Sequence, residues 1–193
     1  LYLCGEFSDS SDKHLSIQED MQRQTSGFAA KRFVKNKNKS LIRNDFSTFR
    51  VQWMLYVIWQ KCKGNADFAN MLLKLPHDAI IIEDTTKQHG DTKEVWGCTN
   101  TELAAKKAAV KKKIIRQAKT DNPKISKAAL KRLVNIETCK VNDTGVFVGQ
   151  NNLGKILMIC RDSLVYGTEP PIDYALLESK NIYILGKRIP FIL

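Results

Sequence analysis

The amino-acid sequence predicts an α+β protein that is mostly helical. Apolar residues recur at helical spacing over the longest patterned segment, which runs from Phe46 to Val57. Apolar runs of strand length are short, and they fall at residues 79–82, 146–148 and 182–184. With 193 residues, of which 43% are hydrophobic, the chain is long enough to bury a core. We therefore predict a single domain over residues 1–193.

Composition excludes several classes of protein. No apolar run reaches the roughly 20 residues that cross a bilayer, so we expect a soluble protein with no membrane partner. The chain begins at Leu1 without a signal-peptide pattern, and we expect a processed or partial chain. The five cysteines are scattered and the three histidines lack metal-ligand spacing. These features predict no metal, no cofactor and an intracellular, reducing compartment, with the organelle left open.

The N-terminal third is predicted to be helical. A helix begins at Ser10–Asp12 and continues to about Gln24, and a second short helix covers residues 28–33. Alternating Lys and Asn at residues 35–39 predict an exposed loop.

The most strongly patterned helix follows Asp45, which we expect to cap it. Its wide apolar stripe is interpreted as core packing. Asn65 is expected to cap the next helix, which runs to about Leu75 with three residues facing inward, namely Phe68, Met71 and Leu72. Residues 79–82 are apolar on both faces and predict a buried central strand.

Positive charge is concentrated in one segment. Residues 106–132 contain eleven Lys or Arg against one acid, Asp121, a net charge of +10 within a chain of +11. We predict two helices there, 101–119 and 123–134, with Pro123 at the first position of the second. Residues 101–140 are interpreted as an insertion, and the Ala-rich first helix is expected to be largely exposed to solvent.

This basic segment predicts attraction to polyanions, although a solvated helical hairpin is the alternative. No aromatic residue separates the cations, so stacking on single-stranded bases is not indicated. Contact with a nucleic-acid backbone, or with RNA or protein in an assembly, is the predicted role. The residues expected to contact the polyanion are Lys106, Lys107, Lys111, Lys112, Lys113 and Arg116.

A Gly- and Asn-rich turn at residues 149–154 lies between a predicted strand, 146–148, and a predicted helix, 151–164. Glycine lets backbone approach a ligand closely, and a helix N-terminus offers free N–H groups. The spacing of Gly149, Gly154 and Lys155 resembles a P-loop. A P-loop needs Ser or Thr next, as a magnesium ligand, and Ile156 stands there instead, which argues against nucleotide triphosphatase activity.

Two further segments complete the pattern. Trp96-Gly97 follows the polar residues 83–94 and is either core plus turn or a wall for a base or ribose. Residues 165–193 are predicted to form a Pro-rich connector at 169–171 and a hairpin, with strands at 182–184 and 189–191 and a turn at 186–187.

Three segments in this order resemble the NADAR family, the YbiA-like N-glycosidases. Residues 25–33 are similar to the family's SPxEAKRLGR helix start, and residues 82–97 are similar to its LVEhTTxDxxWG run. Residues 149–161 read GQNNLGKILMICR and are similar to GxNxLGKILMEVR. The basic segment would be an insertion into this NADAR-like domain.

The resemblance implies a compact, mostly helical α+β domain that hydrolyses an N-glycosidic bond. Family substrates include ADP-ribose on guanine and a ribosylamino intermediate of riboflavin synthesis. An oxocarbenium-like transition state requires carboxylates near the anomeric carbon. The resemblance assigns Trp96 and Gly97 to a sugar or base wall. It assigns ribose or phosphate binding to Gly149, Asn151 and Gly154, and phosphate neutralisation to Lys31 and Arg32.

The chain also departs from the family pattern. Lys93 stands where the family has a carboxylate, which makes Asp91 and Glu94 the nearest catalytic substitutes. The family's Glu on an early helix has no clear counterpart, and Gln18-Glu19 is only a local mimic. Residues 182–190 resemble the hairpin that precedes this Glu in the family. We hypothesise a permuted domain whose Glu helix is lost or supplied by another chain, leaving either an enzyme or a catalytically degenerate scaffold.

Overall fold

The computed structural model of the chain describes residues 1–88, 93–141 and 145–191, without the Lys35 side chain. The described residues are mostly helical, as predicted. Their contacts group into two compact units. Unit 1 comprises residues 1–80 and 155–193, and unit 2 comprises residues 81–154. Among the described residues, no helix is both long and apolar enough to cross a membrane.

The first eight α-helices of the described residues, in chain order, are α1 Tyr2–Gly5, α2 Asp12–Gln22, α3 Gly27–Phe33, α4 Phe46–Gly64, α5 Ala66–Leu73, α6 Lys93–Trp96, α7 Thr101–Asp121 and α8 Lys127–Cys139. Two more follow, α9 Asn152–Tyr166 and α10 Tyr174–Ser179, and then the hairpin strands β1 Tyr183–Ile184 and β2 Lys187–Arg188.

Side-chain caps set the beginnings of three helices in unit 1. The Ser11 side chain accepts from the backbone of α2, Ser26 accepts from the backbone of α3, and Asn65 accepts from the Phe68 N–H at 2.9 Å. Each bond satisfies one of the N–H groups that a helix N-terminus leaves unpaired. The predicted starts of these helices are confirmed to within a residue or two.

Helix α4 carries the apolar stripe that the sequence predicted. Its buried residues are Phe46, Phe49, Trp53, Leu55, Trp59 and Cys62, while Val57 is only half-buried. Asp45 is the residue that precedes α4, as predicted, but its side chain makes no capping hydrogen bond. Its carboxylate instead accepts from Arg43 Nε at 2.6 Å, and this bond lowers the pKa of Asp45.

Two other expectations for unit 1 are corrected. The predicted loop at 35–39 is helical, since Val34–Asn38 forms a π-helical turn and Lys39–Leu41 a 3₁₀ turn. Val34 anchors this segment in a core shared with Phe7, Ile17 and Met21. On α5 only Leu72 is buried, and Met71 is exposed.

The buried central strand predicted at residues 79–82 is absent. The Ile80 side chain is 76% exposed, and no strand is assigned over these described residues. The Ala79 and Ile81 carbonyl groups accept hydrogen bonds from side chains instead of from a neighbouring strand. Arg161 Nη1 donates to Ala79 O at 2.8 Å and to Pro76 O at 3.0 Å within unit 1. The apolar run therefore predicted strand pairing for backbone that is hydrogen-bonded to side chains.

Helices α7 and α8 pack against each other as a helical hairpin in unit 2. Asn100 caps α7 by accepting from Leu103 N–H at 2.9 Å, and only Ala118 of α7 is buried, so the predicted exposure of this helix is confirmed. The predicted start of α8 at Pro123 was wrong. Ser126 caps it, accepting from Ala129 N–H at 3.1 Å, and Pro123 lies in the connecting turn.

A C-terminal hairpin is present as predicted, but its turn lies one residue earlier than expected, and its second strand is Lys187–Arg188 and not residues 189–191. Tyr183 pairs with Arg188 and Ile184 pairs with Lys187 in an antiparallel register. The turn consists of Leu185 and Gly186, both at positive φ (50° and 75°). Two consecutive residues at positive φ match the twist of a tight two-residue hairpin.

Candidate functional site

The two motifs of the predicted site are joined in unit 2 by backbone hydrogen bonds. Gln150 N–H donates to Glu94 O at 2.6 Å, and Asn151 N–H donates to Gly97 O at 3.2 Å. The turn at residues 149–154 therefore lies directly on the Trp96-Gly97 segment, although more than 50 residues of chain separate them.

Three extended segments support this contact. Residues 97–99 pair with residues 83–85 through Cys98 N–H to Glu83 O at 2.8 Å and Thr85 N–H to Cys98 O at 2.9 Å. On the other side, Thr99 and Val148 exchange two bonds, at 2.9 and 3.0 Å. The strand predicted at 146–148 is thus reduced to a single antiparallel bridge at Val148.

Asn151 fixes the turn to the segment that precedes the first motif. Its Oδ1 accepts from Glu83 N–H at 3.0 Å, and its Nδ2 donates to Ile81 O at 2.8 Å. The side chain is buried, and its backbone lies at φ 52°, a region that Asn tolerates better than most residues. Both functional groups of the amide therefore bond to backbone, so Asn151 shapes the turn.

The glycines at this junction are required by contacts between backbone segments. A Cβ atom on Gly97 would lie 2.3 Å from Glu83 O, and one on Gly149 would lie 2.4 Å from Gly97 O. A Cβ on Gly154 would lie 2.2 Å from Ile81 O. The sequence predicted close approach of this backbone to a ligand, and the structure shows close approach to other backbone.

Three carboxylates bear on the predicted chemistry. Glu94 is exposed, and its carboxylate lies 3.9 Å from Lys93 Nζ. Asp91 lies outside the described residues. Glu83 is half-buried, and its Cγ lies within 2.9 Å of the position that a Cβ on Gly97 would occupy. Sequence reasoning did not select Glu83, although its position in the 82–97 motif was a usable signal.

The buried Thr85 hydroxyl and a backbone N–H fix the described residues around Asp84. Thr85 Oγ1 donates to Lys93 O at 2.9 Å and is also within 3.1 Å of Cys98 O. Asp84 accepts from Thr86 N–H at 2.9 Å, and its bonds to Thr86 lower the pKa of this carboxyl. Trp96 is half-buried at the end of α6. Residues 83–88 and 93–96, the described parts of this segment, are therefore each held by hydrogen bonds.

The remaining predicted residues lie elsewhere in the fold. Lys31 and Arg32 belong to unit 1, where both are exposed in the last turn of α3. The six predicted polyanion-binding residues are all exposed on α7 in unit 2. Lys106 is bonded to Glu102, with Nζ 2.8 Å from Oε1. No cluster of three or more His, Cys, Asp or Glu suited to a metal ion occurs among the residues that the structure describes.

Comparisons of the chain with protein-family models, with curated proteins and with solved structures find no match.

Proposed function

We propose that the protein is an N-glycosidase-type hydrolase resembling the NADAR family, acting on an ADP-ribosylated or ribosylated base. The observation that supports this proposal is the junction in unit 2, where residues 149–154 bond to Trp96-Gly97 and to Glu83. These are the segments that carry the resemblance. Their hydrogen-bonded contact is expected if they build one site.

The proposed chemistry uses the two described carboxylates in different roles. Breaking an N-glycosidic bond leaves positive charge on the ribose, and a carboxylate nearby stabilises it. Glu83 suits this role because its half-buried position strengthens electrostatic attraction. Glu94 is exposed and suits the orientation of a water molecule. Trp96 would stack against the base or ribose.

Hydrolysis of ADP-ribosyl-guanine and of a ribosylamino pyrimidine, followed by chromatography of the released base, tests this proposal. We expect turnover by the full chain and a loss of about 10²–10⁴-fold for Glu83→Gln, as for removal of a catalytic carboxylate. Trp96→Ala should raise KM more than it lowers kcat. Glu102→Gln is the matched control, because it neutralises an exposed acid of the same unit. Absence of turnover with both substrates would contradict the proposal.

The second candidate function is that of a catalytically degenerate scaffold that binds a polyanion through α7. The specific observation is a cationic side of this helix, formed by Lys112, Lys113, Arg116 and Lys119. Residues at spacings of three and four lie on one side of a helix, and all four are exposed. A surface of one sign attracts nucleic-acid phosphates and releases their counterions.

Binding of a duplex RNA, measured against salt concentration, tests the scaffold function. Replacing Lys112, Lys113 and Arg116 with Gln should weaken binding. The slope of log affinity against log salt should fall by about 0.7–0.9 for each phosphate that the variant no longer neutralises. The matched control replaces three exposed lysines of unit 1, namely Lys13, Lys74 and Lys187. Equal weakening by both sets would show attraction to net charge and not to α7.

A further inference from the structure

His77, Asp162 and Tyr166 bring three donor atoms together on the surface of unit 1. His77 Nε2 lies 3.0 Å from the Tyr166 hydroxyl oxygen and 3.9 Å from Asp162 Oδ1. Asp162 and Tyr166 are four residues apart on α9, so their side chains lie on the same side of this helix. Both oxygens therefore approach the same ring nitrogen. We call these three side chains the His77 cluster.

The Arg161 side chain holds both parts of the His77 cluster in place. It is 4% exposed, and its Nη1 donates to Pro76 O at 3.0 Å and to Ala79 O at 2.8 Å, which fixes the turn that carries His77. Its Nε donates to Asp162 Oδ1 at 3.0 Å and so orients the carboxylate. A carboxylate accepts at about four positions, so this bond leaves acceptor capacity for a further partner.

The arrangement differs from that of a catalytic relay. In a Ser-His-Asp relay the carboxylate bonds to one ring nitrogen and the nucleophile bonds to the other. In the His77 cluster, Asp162 and Tyr166 both face Nε2. A proton therefore has no route through the imidazole ring from Tyr166 to Asp162. Convergence on one nitrogen is instead what ligands of a shared cation require.

The spacing of the donor atoms fits one tetrahedral metal ion. Zinc lies at about 2.0–2.1 Å from a histidine nitrogen and about 2.0–2.2 Å from a carboxylate oxygen. Ligand atoms at those distances are roughly 3.3 Å apart in a tetrahedron. The separations from His77 Nε2, 3.0 and 3.9 Å, lie on either side of that value. Movements of roughly half an ångström would place both oxygens and the nitrogen around one ion.

The end of α9 has an electrostatic field that favours a cation. The helix ends at Tyr166 and has no Lys or Arg in its last turn. Its C-terminal carbonyl groups carry partial negative charge, and Asp162 adds a full negative charge. Arg161 opposes a second cation, but its Nη1 is directed at the Pro76 and Ala79 carbonyl groups.

We propose that the His77 cluster binds a divalent transition metal ion such as Zn²⁺, with His77 Nε2, an Asp162 carboxylate oxygen and the Tyr166 oxygen as protein ligands. Imidazole nitrogen and carboxylate oxygen are ligands that zinc accepts. The side chains are 61%, 41% and 65% exposed respectively, so water has access to the remaining coordination position.

The sequence predicted no metal because its histidines lack ligand spacing, and this reasoning could not find a site made by distant segments. Counting His, Cys, Asp and Glu alone, no group of three that suits a metal occurs in the described parts of the chain. Tyr166 supplies the third ligand. The site is independent of the proposed glycosidase activity, because its residues all lie in unit 1. Its failure would therefore leave the turnover assay unaffected.

The first test is calorimetric titration of the untagged full chain with ZnCl₂. Every protein carries Cys139→Ser, because Cys139 is an exposed thiol that would itself bind zinc. We expect one saturable site. His77→Gln and Asp162→Asn should each weaken it by about tenfold or more, since even a partner in the outer shell contributes about that much. Affinity should also fall in acid, because protons compete with the metal for its ligands.

The variants are chosen to preserve the fold. Asn at position 162 retains an acceptor oxygen for Arg161, and His77 is exposed. Asp67→Asn is the matched control, since it removes the same charge from an exposed position of unit 1 and should bind zinc as the parent does.

Spectroscopy identifies the ligand atoms without relying on affinity. Long-range ¹H–¹⁵N spectra of the histidine rings should show zinc on Nε2 of His77 and leave the buried His14 unchanged. With Cu²⁺ in place of Zn²⁺, coordination by the Tyr166 phenolate should give a charge-transfer band in the visible. Tyr166→Phe should lack this band and bind several-fold more weakly.

Four results would overturn the proposal. The first is the absence of saturable zinc binding at concentrations up to about 1 mM, where affinity is too weak to matter. The second is parental affinity in His77→Gln or in Asp162→Asn. Coordination through Nδ1 of His77 would contradict the convergence on Nε2. A Tyr166→Phe protein with parental affinity and an unchanged spectrum would contradict the three-ligand site.

Discussion

Gly154→Ala is expected to destabilise the protein by about 2 kcal/mol or more, as overpacking at a rigid site does. The added Cβ would lie 2.2 Å from Ile81 O and 2.5 Å from Asn151 Nδ2. These two atoms are hydrogen-bonded to each other at 2.8 Å, so neither can move without breaking the bond. Chemical denaturation followed by circular dichroism should show a lower midpoint with an unchanged slope.

Helix propensity makes the opposite prediction for this substitution. Gly154 lies near the start of α9, and within a helix alanine is favoured over glycine by about 1 kcal/mol. If local propensity decided the outcome, the variant would be more stable than wild type. The steric conflict with Ile81 is the larger effect, because it involves a backbone carbonyl rather than the end of a flexible side chain.

Gly64→Ala separates the two effects. Gly64 is the last residue of α4, and a Cβ there would meet nothing within 4 Å. We expect it to leave stability unchanged or raise it by up to about 1 kcal/mol, chiefly through the unfolded state. A Gly154→Ala protein as stable as Gly64→Ala would show that the junction of unit 2 can relax around the added methyl group.

The helices were predictable because their signals are local. Ser11, Ser26 and Asn65 each precede the helix that they cap, and each capping oxygen accepts from a backbone N–H only three positions later. The C-terminal hairpin was predictable for the same reason, since Leu185 and Gly186 close it within two residues. Such interactions can be read from a short window of sequence.

The parts that could not be predicted depend on residues far apart in the chain. Residues 79–82 have the composition of a buried strand, but the pairing of their carbonyl groups with Arg161 and Asn151 is decided by contacts over about 70 to 82 positions. Asp45 stands where a helix cap is expected, but its carboxylate accepts from the guanidinium of Arg43 instead of from a backbone N–H of α4. Propensity fixes what a segment can form, and tertiary contacts select what it does form.

Contacts between distant residues also change the predicted role of Asn151 in the candidate site, and this affects the choice of variants. The resemblance places Asn151 in the site as a binding residue, whereas its amide bonds to Ile81 and to Glu83 in the structure. Loss of activity in an Asn151 variant could therefore report a distorted turn. Glu83→Gln is the more informative change, because the backbone of Glu83, which makes the bonds to Asn151 and Cys98, is kept.

Gln18→Glu is expected to destabilise the protein by about 3 kcal/mol or more at neutral pH, because it creates a buried carboxylate that faces other acceptors. Gln18 is 2% exposed, and its Nε2 donates to Phe7 O at 2.7 Å and to Tyr183 O at 2.9 Å. The same nitrogen lies 3.2 Å from Cys4 O. In the variant an oxygen would replace this donor and face three carbonyl oxygens.

The loss of stability in Gln18→Glu should increase as pH rises, as expected if an ionised buried carboxylate causes it. Burial and the neighbouring carbonyl groups would raise the pKa of the introduced carboxyl, so the folded state would bind a proton more tightly than the unfolded state. Stability then falls as pH rises and recovers as pH falls towards the usual titration range of glutamate. Thermal melting of the variant at a series of pH values, relative to wild type, should show this slope.

Gln22→Glu provides the matched control, since Gln22 lies one turn later on α2 and is exposed. It adds the same charge without burial, and its stability should follow that of wild type across the same pH range. The contrast matters for the proposed chemistry, because Gln18-Glu19 was the local mimic of the family's catalytic Glu. Gln18 also links α2 to the hairpin turn, because its Oε1 accepts from Leu185 N–H. If Gln18→Glu were as stable as Gln22→Glu, a carboxylate would be tolerated at this position, and this link would not require the side-chain amide.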